Sequence, residues 1–159
     1  MDEDLELMER IQHEEDALQF EKFTNDTAWE LGVNMVERAR AAEKKITIDI
    51  CRNGQQLFHY AMPGTALDND EWIKRKNNVV NRFSHSSFYM GLYFKTKGTT
   101  IEKKSLIPET EYAPHGGAFP LIISRVGVVG TITVSGLPQK EDHDFVVSAL
   151  KAFLRMSEE

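Results

Sequence analysis

Apolar positions recur along the chain with two periods, one near 3.6 residues and one of two. Leu5, Met8 and Ile11 stand at helical spacing in a strongly charged stretch, which predicts an amphipathic N-terminal helix over about 2–16. Leu18-Gln19-Phe20 reads as a short strand or an extended link. Ala28, Leu31, Met35, Ala39 and Ala42 then recur in three- and four-residue steps. They predict a helix over about 27–44, with Asn25 or Asp26 as its N-cap. Gly32 lies on the same face, where a close helix-to-sheet contact would account for it.

Ile46, Ile48 and Ile50 alternate with Thr47, Asp49 and Cys51, which is a strand pattern. Asn53-Gly54 is a hairpin signal, because both turn residues tolerate positive φ, and 55–62 is the return strand. Asp68-Asn69-Asp70 offers caps for a helix whose apolar stripe is Trp72, Ile73, Val79, Val80 and Phe83. Ser86-Ser87 caps another helix carrying Phe88, Tyr89, Leu92 and Tyr93, which ends at Lys97-Gly98. Residues 99–114 are polar and read as a long surface loop with room for a short helix. Two apolar runs, 118–123 and 126–134, flank Ser124-Arg125 and predict a second hairpin. A turn at 135–138 leads into a last helix with Phe145, Val146, Ala149, Leu150, Phe153 and Leu154 on one face. Two hairpins predict a mainly antiparallel sheet, and the helices around them predict a three-layer α/β (α+β) arrangement with both sheet faces covered.

Length and charge narrow the classes. At 159 residues the chain fits one domain, 1–159, able to bury a core without staples. Its net charge of −6 argues against nucleic acid as a partner, since phosphate contacts need clustered Lys and Arg. No apolar run approaches the ~20 residues of a membrane helix. The single cysteine, Cys51, and the acidic start Asp2-Glu3-Asp4 lead to the expectation of a cytoplasmic protein without disulfides.

Three segments carry a resemblance: 23–32 (Phe-Thr-Asn-Asp-Thr-Ala-Trp-Glu-Leu-Gly), 114–121 (Pro-His-Gly-Gly-Ala-Phe-Pro-Leu) and 126–137 (Val-Gly-Val-Val-Gly-Thr-Ile-Thr-Val-Ser-Gly-Leu). With Trp72, Arg75, Lys76 and Ser86-Ser87, they make the chain resemble the uncharacterised cytosolic branch of the heme-degrading-domain family. The resemblance covers about 18–157. It implies a profilin-like fold with a five-stranded antiparallel sheet, and a homo-oligomer built from dimers. It also makes heme the cofactor to test, although fold analogy does not establish a reaction.

The candidate chemistry gathers at two places. In His115-Gly116-Gly117 the adjacent glycines let backbone N–H groups converge on a ligand, and His115 can meet a carboxylate, a metal or a heme iron. The same glycines equally make a tight entry into a buried strand. Arg75, Asn78 and Arg82 form a polar, basic stripe suited to a carboxylate or phosphate if it packs beside that loop, and to solvent if it does not. His85-Ser86 reads as a helix cap rather than a catalytic pair, with no G-x-S-x-G elbow around it. Glu141-Asp142-His143-Asp144 reads as the acidic first turn of a helix rather than as metal ligands. His13, His59 and Cys51 take structural readings. The expected function is therefore a homo-oligomer that binds a small anion or organic acid through His115, Gly116, Gly117, Arg75, Asn78 and Arg82. Two alternatives stay open: an enzyme acting on heme or a small 2-hydroxy acid, and an oligomeric adaptor. No P-loop, dinucleotide fingerprint or kinase signature is present.

Overall fold

The structure, a computed structural model, describes residues 2–158. Met1 and Glu159, the ends of the domain expected from sequence, lie outside the described residues. Ten elements follow one another: α1 (Asp2–Ala17), α2 (Asn25–Ala41), β1 (Thr47–Arg52), β2 (Gln55–Ala61), α3 (Leu67–Phe83), α4 (Ser87–Thr96), α5 (Ile101–Ser105), β3 (Ala118–Ile123), β4 (Gly127–Ser135) and α6 (Gln139–Glu158).

The sheet is antiparallel throughout, in the order β2-β1-β4-β3. Both expected hairpins form. Asn53 and Gly54 take φ of 51° and 81°, the left-handed values a tight two-residue turn needs. The expected fifth strand does not form. Leu18-Gln19-Phe20 contributes one parallel bridge, in which Phe20 N–H donates to Ile122 O and Ser124 N–H donates to Phe20 O. The chain then turns away, because the Phe20 and Phe23 rings meet edge to face in the core. The sheet has four strands, and this bridge shields part of the β3 edge.

The two faces of the sheet differ chemically. Side chains of Ile48, Ile50, Phe119, Ile132 and Val134 pack against α2 and α6 in the main core. Gly32 of α2 lets that helix close on β2, since a Cβ there would stand 2.4 Å from the Phe58 ring. The opposite face presents Thr47, Asp49, Cys51, Thr131, Thr133 and Ser135, and α3 lies over it. Period-two alternation explains this: the apolar half of each strand faces one layer and the polar half the other. Polar side chains of α3 meet it, with Asn77 bonded to Asp49 and Thr133, and Asn69 to Ser135.

Cap positions moved slightly from the expected ones. Thr24, not Asn25 or Asp26, caps α2, its hydroxyl accepting from Thr27 N–H. Ser86 caps α4 as expected. The N-terminal apolar stripe is satisfied within the chain: Ile11, Leu7 and Met8 pack on Phe88, Leu92 and Tyr89 of α4. Those two helices therefore hide most of each other, and only Leu5 of the stripe stands half exposed. Among the described residues no helix is long and apolar enough to cross a membrane.

Candidate functional site

A cleft of about 330 Å³ opens where α3, the 113–117 loop, the end of β4 and the first turn of α6 converge. Trp72 and His115 form one rim, their rings meeting edge to face at 5.6 Å. Asn69, Ser135, Leu137 and Gln139 continue the wall, and Lys76 and Asp142 lie at the floor.

Lys76 decides the chemistry of this floor. It follows Ile73 by three positions and precedes Val80 by four, so helical geometry turns it inward with the apolar stripe. Only 3% of it is exposed. Its ammonium donates to Asp142 Oδ2 at 3.1 Å and to the Val134 carbonyl at 3.2 Å. Asp142 reaches inward from the first turn of α6, and its other oxygen accepts from Leu137 N–H at 3.0 Å. Burial pushes the Asp142 carboxyl up to about 6 against the pull of Lys76, and burial likewise lowers Lys76 from its ordinary value.

Gly116 and Gly117 are required by close approach. A Cβ on Gly116 would lie 2.1 Å from the Gln139 carbonyl, and one on Gly117 would lie 2.5 Å from the Val134 carbonyl and 2.6 Å from Lys76 Nζ. Gly117 also sits at φ 140°, which disfavours any side chain. The glycines thus let the loop lie flat on α6 and on the lysine. Gly116 N–H donates to Gln139 Oε1. His115 stands more open, and partial burial together with the nearby Lys76 charge holds its imidazole below the usual value.

The other expected residues divide. Arg75 stacks on the Trp72 ring, 4.2 Å from its centroid, and so reaches the cleft only through that ring. Asn78 donates to the Glu111 carbonyl, and Arg82 lies over the Phe83 and Tyr112 rings. Both brace the loop beyond α5 and neither lines the cleft. Lys76 and Asp142 are the residues that sequence reasoning did not place in a site. A readable signal existed, since each is a charge at helical spacing with buried apolar residues: Lys76 with Ile73 and Val80, Asp142 with Val146 and Ala149.

The 141–144 run is split by its geometry. Asp142 serves Lys76, His143 Nε2 meets Glu14 at 3.0 Å, and Asp144 accepts from Arg10 and Lys140. Among the described residues no three His, Cys, Asp or Glu are grouped to hold a metal ion. A second polar cluster lies under α3, where buried Asp49 accepts from Gln56, Asn77, the Cys51 thiol and the His59 ring. Burial and Asp49 push Cys51 up to about 12, which favours the thiol over the thiolate.

A family model for the haem-degrading, HbpS-like proteins matches residues 23–151. The chain belongs to the HbpS-like family. Within the family it is 53% identical over 144 residues to the UPF0303 protein SCO2848 of Streptomyces coelicolor, covering 91% of each chain. Its structure is similar to the crystal structure of the Ybr137w protein, with 40% identity, a TM-score of 0.88, and coverage of 96% of this chain and 90% of that one. A heme complex of PduOC shares the fold at a TM-score of 0.69 and 18% identity, covering 82% of this chain and 94% of that one. In this HbpS-like chain the cleft draws on two of the three sequence segments that carried the resemblance, at 114–121 and 126–137.

Proposed function

We propose that this HbpS-like chain is a small-ligand-binding protein whose cleft takes a small organic acid. The observation that supports it most is the buried Lys76–Asp142 pair on the cleft floor. An ion pair withdrawn from water costs several kcal/mol per ion by rough estimate, and apolar residues of similar volume would often hold the fold as well. Perturbed charges in an open cleft are a mark of binding or catalysis. A lysine ammonium attracts a carboxylate. Asn69, Ser135 and Gln139 offer neutral hydrogen bonds around it, and the Trp72 ring supplies an apolar wall. His115 adds a polar contact without a full charge, because its imidazole is held below the usual value. The cleft volume lies near the lower end of the range for ligand pockets, which suits a small acid.

Heme fits this cleft poorly. A porphyrin needs a broad apolar slot and an axial ligand. Here Trp72 and Leu137 are the apolar side chains of the lining, which otherwise holds Asp68, Asn69, Lys76, Ser135, Gln139 and Asp142 around His115. No step through heme follows from this geometry.

A homo-oligomer is part of the same reading. Its support lies at α2 and β2: Trp29 is 63% exposed, rests against Phe58, and stands beside the open edge of the sheet. A large aromatic beside unpaired strand groups is a usual feature of a protein contact.

A thermal-shift panel of small mono- and dicarboxylic acids tests the ligand reading. An acid that binds the folded state must raise the melting temperature in a concentration-dependent way. A flat response across hydroxy, oxo and dicarboxylic acids rejects it.

A further inference from the structure

The cleft floor holds its amine and its acid in the arrangement used for reversible capture of a carbonyl group. We propose that Lys76 forms an imine with a small 2-oxo acid bound in the cleft, and that Asp142 carries the proton. This rests on the organic-acid reading of the cleft and names the subclass of acid.

Three observations converge. Lys76 lines the cleft while only 3% of it is exposed, so its amino group is withheld from bulk water at the margin of the site. A desolvated lysine gives up its proton more readily than an exposed one and becomes a nucleophile. Asp142 Oδ2 lies 3.1 Å from Lys76 Nζ, within direct proton-transfer distance, and Leu137 N–H holds the other oxygen in place. Burial narrows the gap between the two groups, raising Asp142 to about 6 and lowering Lys76 from its ordinary value, so a proton passes from the ammonium to the carboxylate more easily than between exposed partners. Finally, Gly117 leaves the flank of Nζ clear, where any side chain would press on it.

The chemistry balances within these groups. Lys76 passes a proton to Asp142 and becomes a neutral amine, which keeps an N–H bond to the Val134 carbonyl. The nitrogen lone pair forms a bond to the carbonyl carbon, and the C=O π pair moves onto oxygen. Asp142 returns its proton to that oxygen, giving an N-protonated carbinolamine beside the restored carboxylate. Loss of this hydroxyl with one nitrogen proton releases water and leaves the protonated imine, its charge facing the regenerated Asp142 carboxylate. No oxidant or reductant takes part, and hydrolysis reverses every step.

Reductive trapping tests it on the full-length protein. Glyoxylate or pyruvate is added with cyanoborohydride, and the modified lysines are mapped by mass spectrometry. Lys74, Lys95 and Lys140 are exposed and serve as internal references. The expected result is labelling of Lys76 roughly tenfold faster than of those lysines, as a desolvated amine beside an acid requires. Asp142→Asn should slow Lys76 labelling while leaving the reference lysines unchanged. Lys76→Arg should abolish the preferential adduct. Labelling that follows exposure and spares Lys76 overturns the proposal. If 2-oxo acids raise the melting temperature yet leave no adduct on Lys76, imine formation is rejected and the organic-acid reading stands. If neither effect appears, both fall.

Discussion

Lys76 and Asp142 are 66 positions apart in sequence and meet at 3.1 Å between α3 and α6, at the bottom of the cleft. Removing one partner leaves the other charge buried alone. Lys76→Met should therefore cost about 3–5 kcal/mol of stability. The double variant Lys76→Met/Asp142→Leu should recover most of that. The remainder is the two lost bonds, to Leu137 N–H and to the Val134 carbonyl, about 1 kcal/mol each. Urea unfolding of the wild type, Lys76→Met, Asp142→Leu and the double variant checks this. Two single-site losses that add in the double variant would show that the pair is not coupled.

The glycine pair makes a sharper local prediction. Gly117→Ala forces a side chain into φ 140° and against both the Val134 carbonyl and Lys76 Nζ. Gly98 takes φ 66° with open space around it, so Gly98→Ala pays only the left-handed cost of about 1–2 kcal/mol. Gly117→Ala should exceed it clearly in chemical denaturation, and equal losses would mean that the loop moves freely away from α6.

Helix α1 is tied down by carboxylates that point inward. Glu15 accepts from the His85 ring at 2.7 Å and from Ser86 N–H, and this raises the His85 imidazole above its ordinary 6.5. A raised imidazole stabilises the fold fully below pH 6.5, and the contribution is lost as pH rises through the folded-state value. His85→Gln should thus cost about 1 kcal/mol in mildly acid buffer, allowing for the ring's partial exposure. The difference should shrink steadily on the alkaline side. A difference that grows with pH would contradict the assignment.

Much of this fold is legible in the sequence because the strand residues alternate cleanly. Ile46, Ile48 and Ile50 fix one face, and Asn53-Gly54 fixes the first hairpin. The fifth strand is not legible, since three residues around Phe20 satisfy a strand pattern and an extended link equally, and the packing of Phe20 on Phe23 chooses between them. The site is legible in part. His115 lines the cleft, while Gly116 and Gly117 lie behind it against α6 and Lys76, and the basic stripe Arg75, Asn78 and Arg82 faces outward, as a polar stripe on an amphipathic helix does. The residues at the floor are the charges that break the apolar stripes. Their pairing across α3 and α6 depends on tertiary packing that no local pattern encodes. Similarly, Glu14 and Glu15 look like two more charges on a solvated helix until His143 and His85 are placed opposite them.

The oligomer proposal yields a mass measurement. Trp29→Glu places a charge in the proposed contact beside Phe58 and the β2 edge. Light scattering coupled to size-exclusion chromatography should give a multiple of the monomer mass for the wild type and a smaller particle for the variant. A wild type that stays at monomer mass on concentrating rejects the oligomer. A variant with unchanged mass moves the contact elsewhere.

The central claim is that the cleft binds a small organic acid through the buried Lys76 charge, and calorimetric titration tests it most directly. The wild type and the Lys76→Met/Asp142→Leu double variant, in which no buried charge is left unpaired, are titrated with the acid that gives the largest thermal shift. Loss of a charge-assisted hydrogen bond of about 1.5–3 kcal/mol predicts an affinity weaker by roughly tenfold to a hundredfold in the double variant. Equal affinity in a double variant shown to be folded would contradict the account.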